Sequence, residues 1–318
     1  MLNKTILKHS LLLFTNLFMK SDSLISLKNN LLICRFFILT AFCIQSNCYN
    51  SPITSTALSS DSVRIAYEVQ GRGTPTLIFI HGGSCDHSYW NKQLPFFAQY
   101  YQVVSIDLPG HGESGTNRKN WTIEAFGADV VAVAKKLGLE KVILIGHSLG
   151  GPVILEAAKQ MPERVVGLVG IDVFQTVDQK YPQEMIDRSV KRIRSNFKEA
   201  ISKGVKGMFT SKSDPALVEK IVKDISSAPP EITVAVIEED YKWLNDKYVQ
   251  ALQEVKAPIR CINSDMIPTD EEGVRRYVPS FKVRYMPGLG HFIMLEDPET
   301  FNRLLYETIN ELDGQEGE

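Results

Sequence analysis

Three residue types in this chain could together activate an oxygen nucleophile. Ser148 stands in Gly146-His147-Ser148-Leu149-Gly150, a G-x-S-x-G pattern. His291, in Gly288-Leu289-Gly290-His291, is the only histidine downstream of it. Asp172, Asp265 and Asp270 lie between the two. A serine hydroxyl is a poor nucleophile at neutral pH. It needs a base to take its proton and a third group to hold that base in one tautomer. A set of this kind performs acyl transfer through a tetrahedral intermediate.

The surrounding sequence must place the serine where a substrate can meet it. Val142-Ile143-Leu144-Ile145 is short, apolar and β-branched, and Gly146 bounds it, so it reads as a buried parallel strand. Pro152-Val153-Ile154-Leu155-Glu156-Ala157-Ala158-Lys159 reads as a helix, with proline in its first turn. Ser148 then sits on a sharp turn between strand and helix. Glycines at 146 and 150 fit there because a Cβ at either place would collide with a neighbouring element. The turn pushes the hydroxyl out of the fold, at the positive end of the helix.

Strand, G-H-S-L-G-G and helix together resemble the nucleophile elbow of the α/β-hydrolases. The resemblance implies an α/β fold with a mostly parallel sheet flanked by helices on both faces. It implies a Ser…Asp…His order, and so a catalytic His291. It also implies an oxyanion hole of two backbone N–H groups, from Gly83 in His81-Gly82-Gly83-Ser84 and from Leu149. The acid is expected at Asp265, just past the penultimate strand, where the family's acid usually stands. Asn263-Ser264-Asp265 lacks the usual glycine of that turn. Asp172, at the end of the strand after the elbow helix, and Asp270, beside Glu271 and Glu272, are the alternatives. Serine at the elbow disfavours the related branches that use aspartate there, the dehalogenases and epoxide hydrolases.

Alternation of strand and helix supports the same architecture. Residues 63–69 alternate apolar and polar as a half-exposed strand. Residues 76–80 are nearly all apolar, as a central strand should be. Residues 89–100 read as a helix with Trp90, Leu94 and Phe97 on one face, and residues 103–106 as a strand. Asp107 and Ser114, in D-x-x-G-x-G-x-S, read as a turn pinned by local hydrogen bonds. His81 and His111 read as scaffold, and His87 as surface or pocket rim. Thr122 is the expected N-cap of a helix whose apolar stripe includes Ile123, Phe126, Val130 and Val133. Strands are expected at residues 164–171, 257–262 and 281–286, with a closing helix at residues 298–312.

Residues 174–253 break the alternation. Three runs at helical spacing fill them, led by Met185, Ile186, Val190 and Ile193 in the first. An all-helical insertion between two strands is similar to the cap of the capped α/β-hydrolases. The catalytic domain is therefore expected in two pieces, 51–173 and 254–318, around a cap at 174–253. Residues 51–62 are mostly polar and read as a linker.

Residues 1–50 do not read as part of that fold. Lys20, Lys28 and Arg35 precede an apolar run at residues 36–44, and Gln45-Ser46-Asn47 follows it. That is the order of a secretory signal, shorter than the ~20 residues needed to span a bilayer. Export is expected, with membrane contact only through an uncleaved or lipidated leader, Cys48 being the cysteine for lipidation. Met19 is an alternative start, and a misassigned start would leave the protein cytoplasmic.

Composition narrows the partners. The net charge is −2 and no basic cluster is paired with aromatic platforms, which argues against nucleic acid. The 5 cysteines are scattered and show no C-x-x-C spacing, so neither a disulfide framework nor a metal site is expected. No cofactor is called for. The expected activity is hydrolysis of a carboxylic ester of a small apolar substrate. C–C bond, thioester and perhydrolase chemistry on the same residues are the alternatives, and a non-catalytic small-molecule receptor is a more distant one.

Overall fold

The short apolar runs become the middle of an eight-stranded sheet, in the order β1-β2-β4-β3-β5-β6-β7-β8. The structure is a computed structural model, and it describes residues 52–314. The leader read in residues 1–50, with Cys48, lies outside the described residues. The strands are β1 (Ile53–Leu58), β2 (Arg64–Gln70), β3 (Thr76–Ile80), β4 (Val103–Ile106), β5 (Val142–His147), β6 (Val165–Ile171), β7 (Ile259–Ser264) and β8 (Lys282–Met286). β1 pairs antiparallel with β2, and β2 antiparallel with β4. The other pairings are parallel.

The helices, in chain order, are α1 (Leu94–Phe97), α2 (Ile123–Lys136), α3 (Gly150–Gln160), α4 (Gln183–Ser195), α5 (Phe197–Lys206), α6 (Pro215–Ser226), α7 (Pro230–Asp246), α8 (Tyr248–Glu254), α9 (Glu271–Arg275), α10 (Ile293–Glu296) and α11 (Pro298–Leu312). α2 starts where its cap residue places it: Thr122 Oγ1 accepts the Ala125 N–H at 3.2 Å.

Both faces of the sheet are covered, which is why β5 is buried at every position and apolar through Val142–Ile145. Val142 and Leu144 enter a core with Phe126, Val130 and Val153 of α2 and α3. Ile143 and Ile145 enter a second core with Trp90, Phe301 and Leu305. Each fully buried aliphatic side chain of this kind contributes about 1.5–3 kcal/mol.

Two local expectations need correction. Residues 51–62 are not simply a linker, because Ile53–Leu58 is an edge strand registered on β2. Only Ala57 of that strand is buried, so no apolar period marks it. Residues 89–100 are not one helix. A 3-10 turn at His87–Trp90, capped by Asp86, is followed by the short α1. Pro95 has no N–H to donate to residue 91, so a continuous helix cannot run through it. Trp90, Leu94 and Phe97 are still buried together.

Five helices, α4 to α8, stand between β6 and β7. Trp243 of α7 donates its indole N–H to buried Glu156 of α3 at 2.8 Å. That bond ties this helical insertion to the helix that follows Ser148. Among the described residues, no helix is long and apolar enough to cross a membrane.

Candidate active site

Ser148 is held in a backbone conformation that side chains avoid. Its φ is +52°, a strain of about 1–3 kcal/mol for a non-glycine residue. The turn is over-determined around it. Ser148 N–H donates to the Ile171 carbonyl at 3.2 Å, and Gly151 N–H donates to the Ser148 carbonyl at 2.8 Å. A Cβ at Gly146 would lie 2.3 Å from the Gly150 carbonyl oxygen, and one at Gly150 would lie 2.8 Å from that of Ile80. β5 and α3 can therefore meet this sharply only with glycine at both places.

His291 comes in on the loop after β8. Its Nδ1–H donates to Asp172 Oδ2 at 2.6 Å, the short distance of a charge-assisted bond. This assigns the tautomer and leaves Nε2 as the lone-pair nitrogen. The loop is fixed from two sides. His291 N–H donates to the Met208 carbonyl at 2.7 Å, and the His291 carbonyl accepts the ring N–H of His147 at 3.0 Å. A Cβ at Gly290 would lie 2.5 Å from the Met208 carbonyl oxygen, which explains the glycine before the histidine.

The expected bond from Asp265 to His291 is therefore not made; Asp172 makes it. Asp265 is exposed, and its Oδ1 accepts the Gly288 N–H at 2.7 Å. Asp270 caps α9, accepting the Gly273 N–H at 2.9 Å. Asp172 is buried at the end of β6, the strand next to the elbow strand. Its other oxygen accepts both the backbone N–H and the hydroxyl of Ser264, at 2.8 and 2.9 Å. Asn263 beside it brackets Val173 by accepting its N–H and donating to its carbonyl. So the end of β7 does not present a carboxylate to His291. Its Asn263-Ser264 pair holds the carboxylate presented by β6 and the Val173 backbone beside it. Burial by itself would raise the Asp172 carboxyl. The His291 ring, followed by the Ser264 donors, outweighs burial and holds it below the ordinary carboxylate range.

His147 is a residue whose part the sequence did not reveal. It is buried, and burial followed by the charge of His291 pushes its imidazole down to about 3. It is a neutral strut under the His291 loop. Its ring packs 4.6 Å from the His291 ring. The second nitrogen, Nδ1, is buried and without a hydrogen-bond partner among the described residues.

The two N–H groups expected to face a developing oxyanion belong to residues that adjoin. A Cβ built on Gly83 would lie 3.7 Å from the Leu149 side chain. His81 is scaffold for this loop: its Nδ1–H donates to the Gly82 carbonyl at 2.7 Å, and its Nε2 accepts the Leu108 N–H at 3.0 Å. Ser84, with φ +57°, reaches Thr233 of α7 through a hydroxyl–hydroxyl bond of 3.1 Å.

Ser148, His291, Gly83 and Leu149 all line one cavity of about 350 Å³, at the small end for ligand pockets. Ser148 Oγ makes no hydrogen bond to His291 in this geometry, a bond that commonly tightens only with substrate bound. Ile193, Ile201, Val205, Ile225 and Val236, all from helices of the insertion, complete the largely aliphatic wall.

The sheet, the strained serine turn and the histidine–carboxylate pair define the class, and the chain belongs to the alpha/beta hydrolase family, whose model matches residues 77–304. Among solved structures it is similar to a thermophilic esterase from Thermogutta terrifontis. The identity is 25% and the TM-score 0.71, with 82% of this chain and 99% of that chain covered. It is also similar to the dihydrolipoyllysine-residue acetyltransferase component of an acetoin cleaving system. The identity is 35% over 108 residues in Cupriavidus necator, covering 34% of this chain and 29% of that protein. In Pseudomonas putida it is 26% over 251 residues, covering 74% and 64%. The chain thus spans less than two thirds of the length of these curated relatives.

Proposed function

We propose that this hydrolase cleaves a carboxylic ester of a small, largely apolar substrate through an acyl-enzyme, with Ser148, His291 and Asp172 as its triad. The observation that carries the proposal is the 2.6 Å bond to buried Asp172 from His291, which lines the same cavity as Ser148. His291 Nε2 takes the Ser148 proton as Oγ attacks the acyl carbon. Ionised Asp172 stabilises the imidazolium and keeps the ring in the working tautomer. The N–H groups of Gly83 and Leu149 receive the oxyanion. His291 then protonates the departing alkoxide, and water, deprotonated by the same ring, releases the acid. The aliphatic wall suits an apolar acyl chain, and the likeness to an esterase supports an ester over a C–C or thioester bond.

The test is turnover of p-nitrophenyl esters of graded chain length by the protein from residue 51 onward. Wild type should hydrolyse the shorter members, and Ser148→Ala should lose roughly 10⁴-fold or more while remaining folded. A Ser148→Ala variant that keeps most of the activity would sink the proposal.

A further inference from the structure

One carboxyl group on the cavity wall is not used by the triad. Asp240, on α7, lines the same space as Ser148 and His291. Its Oδ1 is shielded from solvent and has no hydrogen-bond partner among the described residues. Buried polar groups are nearly always paired, and leaving one unpaired costs about 1–3 kcal/mol. Other acidic residues of α7 are differently placed: Glu238, for example, pairs with Arg194 away from the cavity.

The groups that share its surroundings narrow what it would meet. Arg192 of α4 lines the cavity, as do Tyr241, Cys85, His147 and His291. Tyr181 and Tyr241 both feel the charge of Asp240, and Tyr241 also feels that of Arg192. A cationic ligand group would face the Arg192 guanidinium. A purely apolar ligand would leave the carboxyl unpaired and exclude water from it. A neutral hydroxyl satisfies it without either penalty.

Building on the esterase reading, we infer that Asp240 is a specificity-determining residue of this pocket, which accepts a hydrogen bond from a hydroxyl group carried by the substrate some way from the scissile ester. Burial pushes the Asp240 carboxyl up to about 7. An alkyl ester, which only buries the group further, should therefore bind less well as the pH rises through that region. A hydroxyl-bearing ester should not, because it donates to the ionised form.

The experiment is calorimetric binding to Ser148→Ala protein at pH values on either side of 7. The probes are ethyl esters of graded unbranched acids and their ω-hydroxy counterparts. At one chain length the hydroxy ester should bind roughly tenfold tighter than its alkyl partner, a difference of about 1.4 kcal/mol. Asp240→Leu should abolish or invert that ratio. Asp240→Asn keeps an acceptor but cannot ionise, so it should retain part of the preference and lose the pH dependence. The inference is overturned by an unchanged ratio in both variants, by alkyl esters binding as well at every length, or by an ω-ammonium ester binding tighter still. Binding is read without turnover. A wild type that hydrolyses no ester would therefore count against the esterase reading alone, and an unchanged ratio against Asp240 alone.

Discussion

Among the described residues, two histidine–aspartate pairs stand beyond the strand ends of this sheet, and one of them shares a cavity with Ser148. After β6, Asp172 holds His291 at 2.6 Å. After β4, Asp107 holds His87 Nδ1 at 3.0 Å. Read as pairs, they are nearly equivalent. The difference lies in their other contacts. Asp107 also accepts the His87 backbone N–H at 2.7 Å and the Glu113 N–H at 2.8 Å. Ser114 closes the same turn by donating to the Asp107 carbonyl at 2.6 Å. The His87 imidazole is pushed up to about 9, chiefly by its hydrogen bond to Asp107. It is a cation at neutral pH, with no lone pair for proton abstraction, and it borders a separate depression with Arg64 and Glu68. His291 is held by one carboxylate oxygen and turned toward the cavity. A buried carboxylate beside a histidine can build a loop or a base, and the ring's free nitrogen decides which.

Neutralising each pair in turn separates their roles. Asp172→Asn should lower kcat by roughly 10⁴-fold, because the amide can hold the wrong His291 tautomer and cannot stabilise the imidazolium. His87→Gln should change kcat little. If His87→Gln were the crippled variant in an ester assay, the two pairs would have exchanged roles.

His87→Gln should instead register in stability, by about 2 kcal/mol at neutral pH for a lost bond to a buried charge. The sign with pH follows from the raised imidazole. Its contribution is fully present below the ordinary histidine value of about 6.5 and is lost as pH rises through about 9. Urea midpoints taken across that range should fall for wild type and fall less steeply for His87→Gln. Parallel curves would show that the pair is not what stabilises this turn.

The smallest effect is expected at Asp265. It is exposed and supports the His291 loop by one bond to Gly288, so Asp265→Asn should cost about 1 kcal/mol or less. Its kcat should stay within several-fold of wild type. A loss comparable to that expected of Asp172→Asn would make Asp265 the acid.

Much of this arrangement was legible in the sequence, for identifiable reasons. β3 and β5 are covered on both faces and so carry unbroken apolar runs, residues 77–80 and 142–145. The elbow announces itself through glycines that steric contact demands. β1 has one buried residue and exists through its pairing with β2, so only the partner strand reveals it. The carboxylate partner of His291 was the harder case. Asp172 and Asp265 both follow strands, and choosing between them needs the path of the His291 loop, a tertiary fact. The local trace of the His291–Asp172 contact was Asn263-Ser264, polar and fully buried, serving Val173 and Asp172 across the strand pair.

Covalent trapping tests whether Ser148 is the nucleophile activated by the His291–Asp172 pair. Wild type treated with a fluorophosphonate should gain one adduct by intact mass, which peptide mapping places on Ser148. Asp172→Asn should gain it far more slowly and Asp265→Asn at nearly the wild-type rate. No adduct, or one on another residue, or equal labelling of wild type and Asp172→Asn, would contradict the account.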